Sequence, residues 1–136
     1  MVSSQIPAEG LLVFDSSAVL AWLQGETGKE VVQPLLQRST INTVNWAEVI
    51  QRGVQLPHAT PSEMRAMLEA EGLTITDFSI DEAVIAGQLM ATTRNAGLSL
   101  GDRACLASAM LLEVSAVTAD GSWRAVSVGV DIILIR

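Results

Sequence analysis

Two rhythms of apolar and polar residues run along this chain. A short continuous apolar run stands at residues 10–15, and further strand candidates follow at 39–42, 73–78, 115–118 and 130–135. Runs of that length, bounded by Gly, Asp, Asn or Ser, suit strands buried on both faces. Between them lie longer stretches with helical spacing. Residues 16–24 set Ala18, Val19, Ala21, Trp22 and Leu23 toward a buried side. Residues 30–38 form a second helix disturbed near Pro34. Residues 44–55 place Trp46, Val49, Ile50 and Val54 on one stripe, and residues 61–71 do the same with Met64, Met67 and Leu68. A loop spans 57–61, and Gly72 stops the helix before it. Residues 81–95 read as one long helix ending at Gly97, residues 99–113 as a very apolar one, and residues 121–125 as a turn or short helix. Strands alternating with helices argue for an α/β fold, a parallel sheet covered on both faces.

The chain has 136 residues, one domain's worth, and 49% of them are hydrophobic. That is enough for a core and argues against disorder. No apolar run reaches the ~18 residues that would span a bilayer. Residues 1–10 lack the basic and apolar regions of a signal peptide and read as a short polar tail before a domain at 11–136. One cysteine, Cys105, rules out an internal disulfide and fits a cytoplasmic protein; among Ala104, Leu106 and Ala107 it reads as an inert buried thiol. The net charge is −7. Such a protein gains little from phosphate attraction unless bound cations screen it.

Ligands of open parallel sheets bind beyond the carboxyl ends of the strands. Asp15 closes the first apolar run, and Asp120 follows Val117-Thr118-Ala119. Glu48 and Asp102 lie in the first turns of helices that face the same edge. Four crowded carboxylates repel unless cations offset them. Hard divalent ions such as Mg²⁺ or Mn²⁺ prefer such oxygen donors, and they can activate water and align a phosphate. No His or Cys cluster argues for zinc. Each acid also has a purely structural role open to it. Asp15 suits a helix N-cap, Glu48 a pair with Arg52, Asp102 a capping box with Ser99, and Asp120-Gly121 a turn.

Four segments carry a resemblance: Leu12-Val-Phe-Asp15-Ser-Ser-Ala-Val, Asn45-Trp-Ala-Glu48-Val, Leu98-Ser-Leu-Gly-Asp102-Arg-Ala-Cys-Leu-Ala107 and Thr118-Ala-Asp120-Gly-Ser-Trp123. In this order they resemble PIN-domain ribonucleases, most of all the VapC-type toxins of type II toxin–antitoxin pairs. The resemblance implies a three-layer α/β/α fold with a central five-stranded parallel sheet. It implies a Mg²⁺- or Mn²⁺-dependent endoribonuclease, with an RNA substrate and a cognate antitoxin as partners. Asp15, Glu48, Asp102 and Asp120 match the family's acidic, metal-holding positions. Ser17 and Thr118 match supporting hydroxyl positions. Gly121 departs from the pattern, since relatives often carry a larger residue there.

Other residues take lesser roles. His58 sits in a Pro-rich loop and reads as uninvolved. Trp123 packs the last acidic loop. Arg103 and Arg124 could touch phosphate or balance acids. Met64, Met67 and Leu68 suit either core or partner binding. Ala83, Ala86, Gly87 and Met90 offer a small-residue face for a homodimer seam. A phosphoacceptor signalling domain would place an Asp at a strand end too, but it needs a late lysine, and the only lysine is Lys29. A catalytically silent binding module is the remaining alternative, against which the four intact acids stand.

Overall fold

The computed structural model describes residues 2–3, 6–53 and 59–136. His58 and the end of the expected 44–55 helix lie outside these residues. Six parallel strands form one sheet in the order β1-β6-β5-β2-β3-β4. They are β1 (Val2–Ser3), β2 (Leu12–Phe14), β3 (Ser39–Asn42), β4 (Thr74–Thr76), β5 (Ala116–Thr118) and β6 (Ile132–Leu134). The five expected strands are all present. The sixth, β1, pairs with β6 at the sheet edge and comes from the segment read as a polar tail. Two residues of unremarkable polarity carry no period, so only their pairing reveals them.

Alternation within the buried runs divides the core. Leu12 and Phe14 face one layer with Ala18, Val19, Leu36, Ile41, Val49, Leu68, Val117 and Ile133. Val13 faces the other with Leu89, Leu98, Cys105, Leu106, Ala116, Trp123 and Ile132. This is the three-layer α/β/α arrangement. Each fully buried Leu, Ile or Phe contributes about 1.5–3 kcal/mol relative to exposure.

The helices are α1 (Ser16–Leu23), α2 (Lys29–Val32), α3 (Thr43–Gly53), α4 (Pro61–Ala70), α5 (Ile80–Gln88), α6 (Met90–Thr93) and α7 (Leu100–Leu112). Pro34 turns the second predicted helix into four α-helical residues followed by a 3₁₀ segment, Gln33–Arg38. The predicted 81–95 helix is also interrupted. Thr92 and Thr93 both donate their hydroxyls to the Leu89 carbonyl, at 3.3 and 2.7 Å. Such back-bonding competes with the helical ladder and bends helices. Gly72 has φ +101°, and a Cβ there would stand 2.6 Å from Gln37 Cα, so the chain turns tightly after α4. Met64 and Leu68 are core residues, whereas Met67 is exposed. Among the described residues, no helix is long and apolar enough to cross a membrane.

Strand order positions the site. The chain leaves β2 for β3 and β4 on one side, then returns to place β5 and β6 on the other. The carboxyl ends of β2 and β5 therefore lie side by side at the point where the order reverses, with Phe14 in register with Val117. That crevice is where such sheets bind ligands.

Candidate metal centre at the carboxyl edge of the sheet

Asp15 follows β2 and N-caps α1, its side chain accepting from Ala18 N at 2.9 Å. Ser17 Oγ lies 2.8 and 2.9 Å from its two oxygens, and Thr118 Oγ1 donates to Oδ2 at 2.5 Å. The hydroxyls are held in turn. Ala119 N donates to Ser17 Oγ at 2.9 Å, and Asp120 N donates to Thr118 Oγ1 at 3.0 Å. Asp15 is only 3% exposed. Burial pushes its carboxyl up from 3.8 to about 6, against the donors from Thr118, Ala18 and Ser17. The nearby Asp102 charge adds to the rise.

Asp120 N-caps the short 3₁₀ segment Gly121–Ala125 and accepts from Ser122 N at 2.9 Å. Asp102 occupies the capping box of α7. Its Oδ2 accepts from Ser99 N at 2.9 Å, and Ser99 Oγ accepts from Asp102 N at 3.2 Å. Burial raises the Asp102 carboxyl, with the charges of Asp120 and Glu48 adding and the Ser99 hydrogen bonds opposing.

Glu48 stands one turn along α3 from Asn45, whose Nδ2 donates to Glu48 Oε1 at 2.9 Å and to the Gly101 carbonyl at 2.9 Å. A β-carbon at Gly101 would stand 2.6 Å from Glu48 Cδ, so the carboxylate rests on the bare backbone beside Asp102. Among the described residues the ion pairs are Arg65–Glu69 and Arg136–Glu26, so the expected Glu48–Arg52 pair does not form. Asn45 and Gly101 are members of the site that residue-by-residue reading missed. The signal was the three-residue spacing of Asn45 and Glu48 and the glycine directly before Asp102.

Asp102 thus stands within electrostatic reach of the other three acids at one edge of the sheet, and the capping roles of Asp15 and Asp102 are realised as well. Among the described residues, however, no group of three or more His, Cys, Asp or Glu side chains is placed so that it could hold a metal ion. Each carboxylate accepts from its own local donor. The chemistry still fits a hard divalent ion. The donors are all oxygens, and two of the carboxyls are destabilised in their ionised form. The buried Asn45 Oδ1 is an acceptor without a partner.

Neighbouring residues sort clearly. Arg103 is buried and donates from Nη1 to the Ala86 carbonyl at 3.1 Å, so it packs between helices and does not face the acids. Trp123 has no exposed surface and lies in the core beneath the loop, which leaves no face for a base to stack on. Cys105 is fully buried. Its thiol is pushed well up by burial and by the charges of Asp15, Asp102 and Glu48. It is inert and lies under the acids. Ala86 points inward, leaving Ala83, Gly87 and Met90 exposed on the expected seam, beside Ile80 and Val84.

A family model described as the PIN domain matches residues 12–129. Solved structures share the fold at low identity. A toxin–antitoxin complex from Klebsiella pneumoniae superposes with TM-score 0.68 at 19% identity, over 92% of this chain and 98% of that one. A DNA-bound VapBC from Salmonella typhimurium gives 0.68 at 17%, over 94% and 100%. VapC20 of Mycobacterium tuberculosis, a toxin that cleaves the sarcin–ricin loop, gives 0.67 at 14%, over 88% and 98%. No curated protein matches the sequence.

Proposed function

Because the chain belongs to the PIN domain family, we propose that it is a Mg²⁺- or Mn²⁺-dependent endoribonuclease, the toxin of a toxin–antitoxin pair. The observation that carries this reading is the buried Asp15 carboxylate, braced by Ser17 and Thr118 and electrostatically coupled to Asp102. Asp102 is in turn coupled to Asp120 and Glu48. Asp15, Asp102 and Asp120 would hold the ion, and Glu48 would act on it through water or accept a proton. A bound ion supplies activated water and charge stabilisation at the phosphate. The protein's own part is to hold four oxygen-donor side chains at one edge. Ser17 and Thr118 keep Asp15 oriented, and the caps on Asp102 and Asp120 set their backbones.

The same reading assigns a cytoplasmic location and a cognate antitoxin that covers the site until it is removed. Toxin–antitoxin complexes among the similar structures support the partner. The exposed stripe of Ile80, Ala83, Val84, Gly87 and Met90 supports a homodimer seam, for which Val84→Glu should give monomers in sedimentation.

The deciding experiment is cleavage of a defined RNA. The protein should cut it with Mg²⁺ or Mn²⁺ and not with EDTA, and Asp15→Ala and Asp102→Asn should each lose the activity while remaining folded. Retained cleavage in either variant would sink the assignment of the site. Co-expression with a small reading frame beside the gene should yield a complex that no longer cuts.

A further inference from the structure

We infer that Asn45 is the positioning residue that aims the Glu48 carboxylate and ties it to the helix bearing Asp102. The inference rests on the acidic edge being the working site, as proposed above. Asn45 is 1% exposed, and its side-chain amide offers two N–H groups and one oxygen. Both N–H groups are used, one on Glu48 Oε1 and one on the Gly101 carbonyl. Those neighbours are both acceptors. Turning the amide over would set its oxygen against two oxygens, so the chemistry of its neighbours fixes its orientation. Oδ1 is consequently directed to the other side, where it is buried without a donor. The fold keeps an unmet acceptor in order to spend both donors on this bridge.

The bridge does not stand alone. Asn42, three residues earlier, donates to the Ala104 carbonyl at 3.1 Å and to Ser108 Oγ at 2.9 Å, and its own Oδ1 accepts from Asn45 N at 2.9 Å. Two asparagines spaced by three thus meet two α7 carbonyls spaced by three. Asn42 closes β3 and Asn45 lies in the first turn of α3, so the end of the strand and the start of the helix are both tied to α7. With Gly101 lacking a side chain, the Glu48 carboxylate lies directly against the α7 backbone one residue before Asp102. Asn45 acts on the site through Glu48. A purely structural residue at this place would stabilise α3 without caring what the carboxylate does.

A four-protein cycle separates the two: wild type, Asn45→Ala, Glu48→Ala and the double variant, melted in EDTA and across a Mn²⁺ series. Mn²⁺ affinity is read from the dependence of melting temperature on concentration. Asn45→Ala should weaken Mn²⁺ binding about tenfold, in the range seen when a ligand's supporting partner is removed. In the Glu48→Ala background the same change should alter it less than about twofold, within the additivity error for independent sites. RNA cleavage by Asn45→Ala should fall through kcat with KM for RNA unchanged. Equal weakening in both backgrounds, or none in either, overturns the inference. If wild type shows no response to Mn²⁺, the metal reading of the site fails, and the melts in EDTA then decide. Non-additive destabilisation by the two substitutions sustains the coupling of Asn45 to Glu48, and additivity ends it. Should Asn45→Ala not fold, Asn45→Ser, which keeps one donor, takes its place in the cycle.

Discussion

The two halves of the acidic edge are built in different ways. The strand half, Asp15 with Ser17, Thr118 and Asp120, is set by adjacent parallel strands. Its donors come from residues two or three positions away or from the neighbouring strand end. The helix half, Glu48 with Asn45, Gly101 and Asp102, depends on how α3 docks on α7, through side-chain amide bonds and a missing side chain. Both halves bury two of their members and leave two half-buried, but of the four acids only Asp15, in the strand half, is buried, and its carboxyl is pushed up to about 6. The helix half owes its geometry to the close approach of Glu48 to the bare backbone at Gly101. Asp15 is held by three donors, whereas Asp102 and Asp120 accept from one backbone N–H each and Glu48 from the Asn45 amide.

The strongest way to break the comparison is at Asp15. Asp15→Asn should reduce RNA cleavage to the level of an EDTA control, yet make the metal-free protein more stable at neutral pH. A carboxyl at about 6, against 3.8 when unfolded, corresponds to about 3 kcal/mol of preference for the protonated form in the fold. The native state binds the proton more tightly than the unfolded one, so metal-free stability decreases with rising pH. The Asp15 contribution should be fully present below about pH 4 and be lost as the pH rises through 6, with the raised Asp102 carboxyl acting in the same direction. Urea denaturation in EDTA at pH 4.5 and 7.5 measures this. Asp15→Asn should flatten the dependence, and saturating Mn²⁺ should reverse it for wild type. A wild-type protein equally stable at both pH values would remove the claim of strain in the strand half.

The helix half breaks at Gly101. Gly101→Ala adds a methyl that would stand 2.6 Å from Glu48 Cδ. The flexible carboxylate yields before the backbone does, so the fold should survive, and alanine even favours the helix by up to about 1 kcal/mol. Cleavage should drop about ten- to a hundredfold, the cost of disturbing a ligand's support. Unchanged cleavage would show that Glu48 need not lie against α7. The smallest effect is expected at Gly121, where an added β-carbon meets only Arg124 Nη1, at 3.1 Å. Gly121→Ala should leave both stability and cleavage within about 0.5 kcal/mol of wild type, as for an ordinary surface change. A large loss there would show that the turn after Asp120 shapes the site.

Much of the fold was legible in order and type. The strands at Leu12–Phe14 and Ala116–Thr118 are runs buried on both faces, and burial on both faces forces a continuous apolar run. Local chemistry likewise announces itself. The Ser99–Asp102 box starts α7 where the spacing places it, because a cap is made by residues three apart in sequence. The break at Leu89 was not legible, since threonine hydroxyls can satisfy a carbonyl or point to solvent with the same sequence around them. Nor was the inward turn of Ala86 and Arg103, which depends on which side of α5 meets α7.

For the site, the sequence by itself determined which side chains can carry charge and that each lies at the end of a strand or the start of a helix. Those are properties of period and capping, which act over three or four residues. The tertiary structure decided which acids are neighbours. Strand order sets β2 beside β5, so Asp15 and Thr118, separated by 103 residues, come within 2.5 Å. Helix docking sets Asn45 on Gly101, 56 residues away, through a contact that only the absence of a side chain permits. Hydrogen bonds and steric gaps at that separation leave no period in the chain. They exist only once two cores have packed against one sheet.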